Sequence, residues 1–329
     1  MQALLCKAFG SPDTLVVEEI ADVRKPGKGE VKLAVHASGL NFADTLMIAG
    51  KYQEKPEMPF SPGMECAGVV MEVGEGVANL APGDRVMALT GHGGMAEQVI
   101  AMADRVFRIP AAMTFEQAAG FPVTYGTAYY ALVDRARLKA GETLLVHGAA
   151  GGAGSVAVEM GKLLGATVIA TAGSDEKAAA AKRLGADHAI NYSTQSVKDA
   201  VKALASEGAD VVFDPVGGDV FDQSLRCIAA DGRILVIGFA SGRIPSVPAN
   251  LLLVKNFSVV GVYWGGFTKR DPARNRANFE TMLRWIEEGK LRAPATTNYP
   301  LDQASQAMNA LLERRSTGKL VITTPRLRR

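Results

Sequence analysis

The chain has 329 residues, 48% of them hydrophobic and 21% charged, with a formal net charge of +2. That length suggests about two domains with a sizeable core, and the near balance of charge excludes a broad basic field for nucleic acid. The amino-terminal MQALLCKAFG has no charged region followed by an apolar core, so it does not read as a secretory signal, and no apolar run reaches the roughly 18 residues of a membrane span. Cys6, Cys66 and Cys227 are scattered, which argues against a disulfide framework and for a reducing, cytoplasmic setting. Arg326, Arg328 and Arg329 read as a short solvated basic tail.

Taken in order, the first third is β-rich. Residues 15–19 and 31–36 are strand-like, and the second run alternates in polarity. Pro26, Gly27 and Gly29 mark the turn between them. The pattern continues at 64–73 and 84–89, with turn signals at Gly74, Gly76, Pro82 and Gly83, and short strands at this spacing predict a partly closed barrel. From Phe115 the texture changes. Helices are expected at 115–119 and from Thr124, and strand–helix units follow. Strands are predicted at 144–146, 166–171, 189–192, 210–213, 233–237 and 257–262; helices at 175–184, 197–205 and 220–228 lie among them. This alternation predicts a mostly parallel sheet with helices on both faces. Two further helical stretches, 275–288 and 301–314, and a strand at 319–323 close the sequence.

The stretch GETLLVHGAAGGAGSVAVEMGKLLG, 141–165, organises the rest. Leu144, Leu145 and Val146 form a buried strand. Ala149, Ala150, Gly151, Gly152, Ala153 and Gly154 form a loop of small residues, and apolar helical positions follow. A strand, a glycine-rich turn and a helix make the phosphate-binding start of a dinucleotide fold, because a pyrophosphate must approach backbone N–H groups that side chains would block.

That stretch, together with 38–44 (SGLNFAD), 62–68 (PGMECAG), 83–86 (GDRV), 184–187 (LGAD), 214–218 (DPVGG) and 317–319 (TGK), resembles the NADPH:quinone oxidoreductase, zeta-crystallin-like family of the medium-chain dehydrogenase/reductase superfamily. Glu159 departs from the glutamine usual in its signature. The resemblance implies an α/β fold with a doubly wound Rossmann sheet, residues 124–264, inserted into a GroES-like β-rich catalytic domain formed by 1–123 and 265–329. It also implies a homodimer.

Zinc enzymes of the superfamily use a cysteine after the second strand and a histidine in a Gly-His-Glu motif. The matching places here hold Asn41 to Asp44 and Met64, whose amide and thioether are poor zinc ligands. No metal is therefore expected. At the adenosine end, Gly173 and Ser174 stand where an NAD enzyme places a carboxylate on the ribose, so the reading is NADPH. By resemblance Gly173, Ser174, Lys177 and Tyr192 surround the 2′-phosphate. The resemblance puts Asn41, Asp44, Tyr52, Val123, Thr127, Gly238 and Phe239 at the nicotinamide end, with Tyr52 first and Asn41 second as donors to the reacting carbonyl. The implied activity is zinc-independent hydride transfer from NADPH to a quinone or an α,β-unsaturated carbonyl. An enoyl-thioester reductase and an NADPH-binding protein without turnover are the alternatives.

Overall fold

A computed structural model describes residues 1–325; the basic tail at Arg326, Arg328 and Arg329 lies outside the described residues. The chain divides into two compact units, one of Met1–Val123 with Pro272–Arg329, the other of Thr124–Asp271. The return to the first unit comes at Pro272 rather than at 265. The reason is the helix Trp264–Arg270, which packs on the helix Pro122–Tyr129 and its continuation. A Cβ on Gly126 would lie 2.3 Å from the Trp264 ring, and the Tyr130 and Phe267 rings stack with centroids 4.3 Å apart.

The second unit is built on six parallel strands in the order His188–Asn191, Thr167–Ala172, Thr143–Val146, Ala209–Asp214, Ile228–Val236, Ser258–Gly261. Numbered along the chain this is the order 3-2-1-4-5-6, with the crevice for a ligand where the direction of winding reverses beside Thr143–Val146. Its inner strands are buried on both faces, which is why 144–146 and 211–213 are continuous apolar runs with no alternation. Leu145, Ile169, Val212, Phe221 and Ile234 belong to one core cluster.

The first unit holds a seven-stranded sheet centred on the strand Glu30–Gly39, which pairs antiparallel with Glu65–Val73, with Gln98–Met102 and with Lys319–Thr323. Val31, Leu33 and Val35 lie buried on one side of it, as the alternation predicts. A second cluster, which includes Leu4, Met47, Phe60 and Met95, fills the space under the helix Phe42–Ile48. That helix was not legible in the sequence, nor were the strands Gln2–Leu5 and Thr296–Pro300, which are short and have no clean period. Among the described residues no helix is long and apolar enough to cross a membrane.

Candidate functional site

In the second unit the strand Thr143–Val146 leads through His147 and Gly148 into the helix Gly152–Leu163, whose N-cap is Gly151. The loop folds so tightly that a Cβ on Gly154 would stand 2.2 Å from the Gly148 carbonyl oxygen. The first turn of any helix leaves N–H groups without intrahelical acceptors, so small residues here leave a cradle suited to a pyrophosphate. His147, which the sequence reading passed over, holds the loop's base. It is fully buried, with Nδ1 2.9 Å from Thr171 Oγ1 and Nε2 2.7 Å from Ser224 Oγ. The Ser224 hydroxyl donates to the Val220 carbonyl at 2.8 Å, so its oxygen accepts from Nε2–H and Nδ1 accepts from Thr171. Burial pushes the imidazole pKa down and keeps it neutral, against a smaller opposing pull from Asp214.

The same sheet brings together the four residues expected around a 2′-phosphate. Ser174 caps the helix Asp175–Arg183, its oxygen accepting the Lys177 N–H at 3.3 Å. A Cβ on Gly173 would lie 2.8 Å from the Tyr192 phenol oxygen, so the lack of a side chain there keeps that corner open. The Ser193 hydroxyl donates to the Gly173 carbonyl at 2.9 Å, and the Asn191 amide donates to Asp175 at 2.8 Å. The acid nearest the strand end is thus tied to Asn191. Neither Asn191 nor Ser193 had a signal in the sequence beyond adjacency to Tyr192. At the far side of the switch point, Asp214 accepts from the N–H groups of Val216 and Gly217 at 2.7 and 2.9 Å. Gly238 and Phe239 follow the strand Ile228–Val236 beside this turn; Ala240 N–H bonds the Pro215 carbonyl at 3.1 Å. Thr127 is half-buried on the helix Pro122–Tyr129.

In the first unit Asn41 and Val123 are brought together by Glu65 with Lys319 beside it, a role the sequence did not disclose, and Asp44 joins them through the Asn41 N–H. Glu65 is fully buried. One oxygen accepts from the Asn41 amide at 2.8 Å and from the Lys319 ammonium at 2.7 Å; the other accepts from the Val123 N–H at 2.7 Å. Lys319 also donates to the Asn41 amide oxygen at 2.6 Å. Gly39 makes room for this cluster, since a Cβ there would stand 2.4 Å from Glu65 and 2.3 Å from the Ala119 carbonyl oxygen. Tyr52 is half-buried against the apolar core that contains Leu4, Phe60 and Met95. Cys66 and Cys227 are buried, with thiol pKa values pushed up by burial to about 12 and about 11, so neither is a ready nucleophile. Among the described residues no group of three or more His, Cys, Asp or Glu side chains is arranged to hold a metal ion.

Residues 27–111 match the alcohol dehydrogenase GroES-like domain, and residues 152–288 match a family described as zinc-binding dehydrogenase. The chain is 45% identical to the quinone oxidoreductase-like protein 2 homolog of Nematostella vectensis over 98% of this chain and 89% of that protein. Among solved structures it is similar to the quinone oxidoreductase of Pseudomonas syringae pv. Tomato DC3000, with a TM-score of 0.91 and 32% identity over 98% of this chain and 99% of that one. It is likewise similar to the quinone oxidoreductase of Escherichia coli complexed with NADPH, with a TM-score of 0.90 and 30% identity over 98% of this chain and 100% of that one.

Asp44 joins the start of the helix Phe42–Ile48 to the loop before Glu65, accepting from the N–H groups of Asn41 at 2.8 Å and Gly63 at 3.1 Å. Complete burial raises its carboxyl pKa from 3.8 to about 6, despite those two bonds and the nearby charge of Lys319. A group whose folded pKa is raised binds more protons folded than unfolded, so its contribution to stability declines as pH rises between about 4 and 6. Urea unfolding of the native chain and of Asp44→Asn across pH 4–8 should therefore show the native chain losing ground to the variant over that window, by up to about 3 kcal/mol, and a constant difference above it. A constant difference throughout would mean the carboxyl titrates at its ordinary pKa.

Proposed function

We infer the activity from membership: the chain belongs to the quinone oxidoreductase family of the medium-chain dehydrogenase/reductase superfamily. Our reading is an NADPH-dependent reductase that reduces a quinone or an α,β-unsaturated carbonyl without a catalytic metal. The observation that carries it is the corner at Gly173: glycine leaves room there, Ser174 and Tyr192 offer hydroxyls, Lys177 offers a cation, and Asp175 is tied to Asn191. A hydroxyl donor, a phenol and an ammonium suit a phosphate dianion. Independence from zinc is supported by chemistry of the donors: at the matching places the Asn41 amide is bonded to Glu65 and Lys319, and Met64 packs against the apolar core.

NADPH bound here would supply the hydride, and the chain's residues do the rest. The loop Ala149–Gly154 holds the pyrophosphate at a helix N-terminus. Gly173, Ser174, Lys177 and Tyr192 fix the 2′-phosphate; for the nicotinamide end the second unit offers Thr127, Gly238 and Phe239, and the first unit offers Asn41, Asp44 and Val123. We assign the donor role to Tyr52. Asn41 has one N–H directed at Glu65 and the other at the Gly39 carbonyl at 3.4 Å. The Tyr52 phenol donates to the acceptor oxygen as charge gathers on it. A homodimer fits the outer edge of the strand Ser258–Gly261, unpaired among the described residues, and the exposure of Leu253 and Val254; a monomeric mass in sedimentation equilibrium would remove that part. The activity is tested by NADPH oxidation with quinones, enones and enoyl-CoA thioesters after dialysis against a strong chelator. Turnover of the thioester alone, or loss of activity that zinc restores, would replace this reading, and no turnover with any acceptor would leave a binding protein.

Lys177→Ala should weaken NADPH binding by about 1–3 kcal/mol and leave NADH almost unchanged, measured by fluorescence titration. Equal losses for both cofactors would show that Lys177 serves the fold. Tyr52→Phe keeps the ring and deletes the hydroxyl, and should lower kcat for an enone about tenfold with NADPH affinity unchanged. A wild-type rate with both enone and quinone would reduce Tyr52 to a wall of the site.

A further inference from the structure

The first unit carries an ion pair that fold stability does not explain. Lys319 and Glu65 have side chains 4% and 0% exposed and lie 2.7 Å apart. Taking two charges out of water costs so much that an apolar pair of the same shape is often as stable or more so. The pair's third member is the side chain of Asn41, the N-cap of the helix Phe42–Ile48. An N-cap asparagine usually turns its oxygen onto the helix's own N–H groups. Here the side chain has charged partners as well: the oxygen meets Lys319 at 2.6 Å and the nitrogen meets Glu65 at 2.8 Å. The two ends of a carboxamide are nearly equal in size, so packing alone does not choose between them. An ammonium only donates and a carboxylate only accepts. Turning the amide over would set NH₂ against NH₃⁺ and C=O against COO⁻, two repulsive contacts in place of two charge-assisted bonds.

We propose that Glu65 and Lys319 are positioning residues whose ion pair fixes the orientation of the Asn41 carboxamide at the nicotinamide end of the cofactor. The proposal rests on the reductase reading above. Asn41 is 8% exposed, so the residue is not wholly sealed off. Glu65 is itself held by the Val123 N–H, and the strands that begin with Glu65 and Lys319 flank Glu30–Gly39, so the two charges arrive on a rigid frame.

The test is the double variant Glu65→Gln/Lys319→Met, which keeps the shape and leaves no orphaned charge. NADPH affinity is read by fluorescence titration, kcat and KM with a quinone, and the Asn41 side-chain amide by ¹⁵N NMR. The expected result is a folded protein in which the Asn41 amide signal moves or doubles, NADPH binds roughly fivefold more weakly and kcat falls about tenfold with the quinone KM unchanged, as for loss of one oriented hydrogen bond. Lys319→Arg, which keeps the charge, should retain most of the activity. A folded double variant with the native amide signal, affinity and kcat would make the pair purely structural and overturn the proposal. Should the double variant not fold, Asn41→Leu leaves the ion pair in place and removes the amide; native affinity and kcat in that variant would overturn the proposal equally, and matching losses would support it. If the native chain reduces no acceptor, the reductase reading fails by itself, while NADPH affinity and the amide signal still decide the role of the pair.

Discussion

The first unit depends on the satisfaction of one buried carboxylate. Glu65 sits at the start of its strand with no access to water, and three donors from distant parts of the chain converge on it: the Asn41 amide, the Lys319 ammonium and the Val123 backbone. Leaving such a group without its partner costs on the order of 3–5 kcal/mol, a large share of a domain's net stability. Fold and site therefore share one requirement. The carboxylate is paired only when the first strands, the last strand and the start of the helix Pro122–Tyr129 are all in register. Gly39, next to all of them, is fixed by the same need for space.

The second unit solves a different problem with neutral groups. Its loop must hold still with almost no side chains of its own, and the residues beneath it do the holding. His147 joins the Thr143–Val146 strand to Thr171 on the neighbouring strand and to Ser224 on a crossing helix. Asp214 pins the next turn by accepting two backbone N–H groups. An imidazole kept neutral by burial meets its hydrogen-bonding needs there without the desolvation cost of an ion, leaving the positive field of the helix N-terminus available to a phosphate.

On the proposed reading each unit brings its own kind of chemistry. The second unit offers a loop of backbone groups and, at Gly173, a small neutral corner beside Ser174 and Tyr192. The first unit offers a carboxamide, Asn41, held at both ends by the buried pair Glu65 and Lys319.

The sequence by itself determined the alternation of strands and helices through most of the second unit, the glycine-rich loop, the small neutral corner at Gly173 and the lack of cysteine and histidine at the places that match the superfamily's zinc ligands. These are local properties, written in runs of a few residues, in glycine spacing and in side-chain chemistry. The helix Phe42–Ile48 and the edge strands escaped because they are short and take their shape from what they pack against. The boundary at Pro272 escaped because it is set by Trp264 and Phe267 packing on Gly126 and Tyr130, with no break in composition. Glu65 and Lys319 stood in motifs that could be read, yet nothing local says that they meet, with Asn41 and Lys319 separated by 278 positions. Only antiparallel pairing on both sides of Glu30–Gly39 brings them together, and only burial, which strips away water as a competing partner, turns that meeting into a constraint on the site.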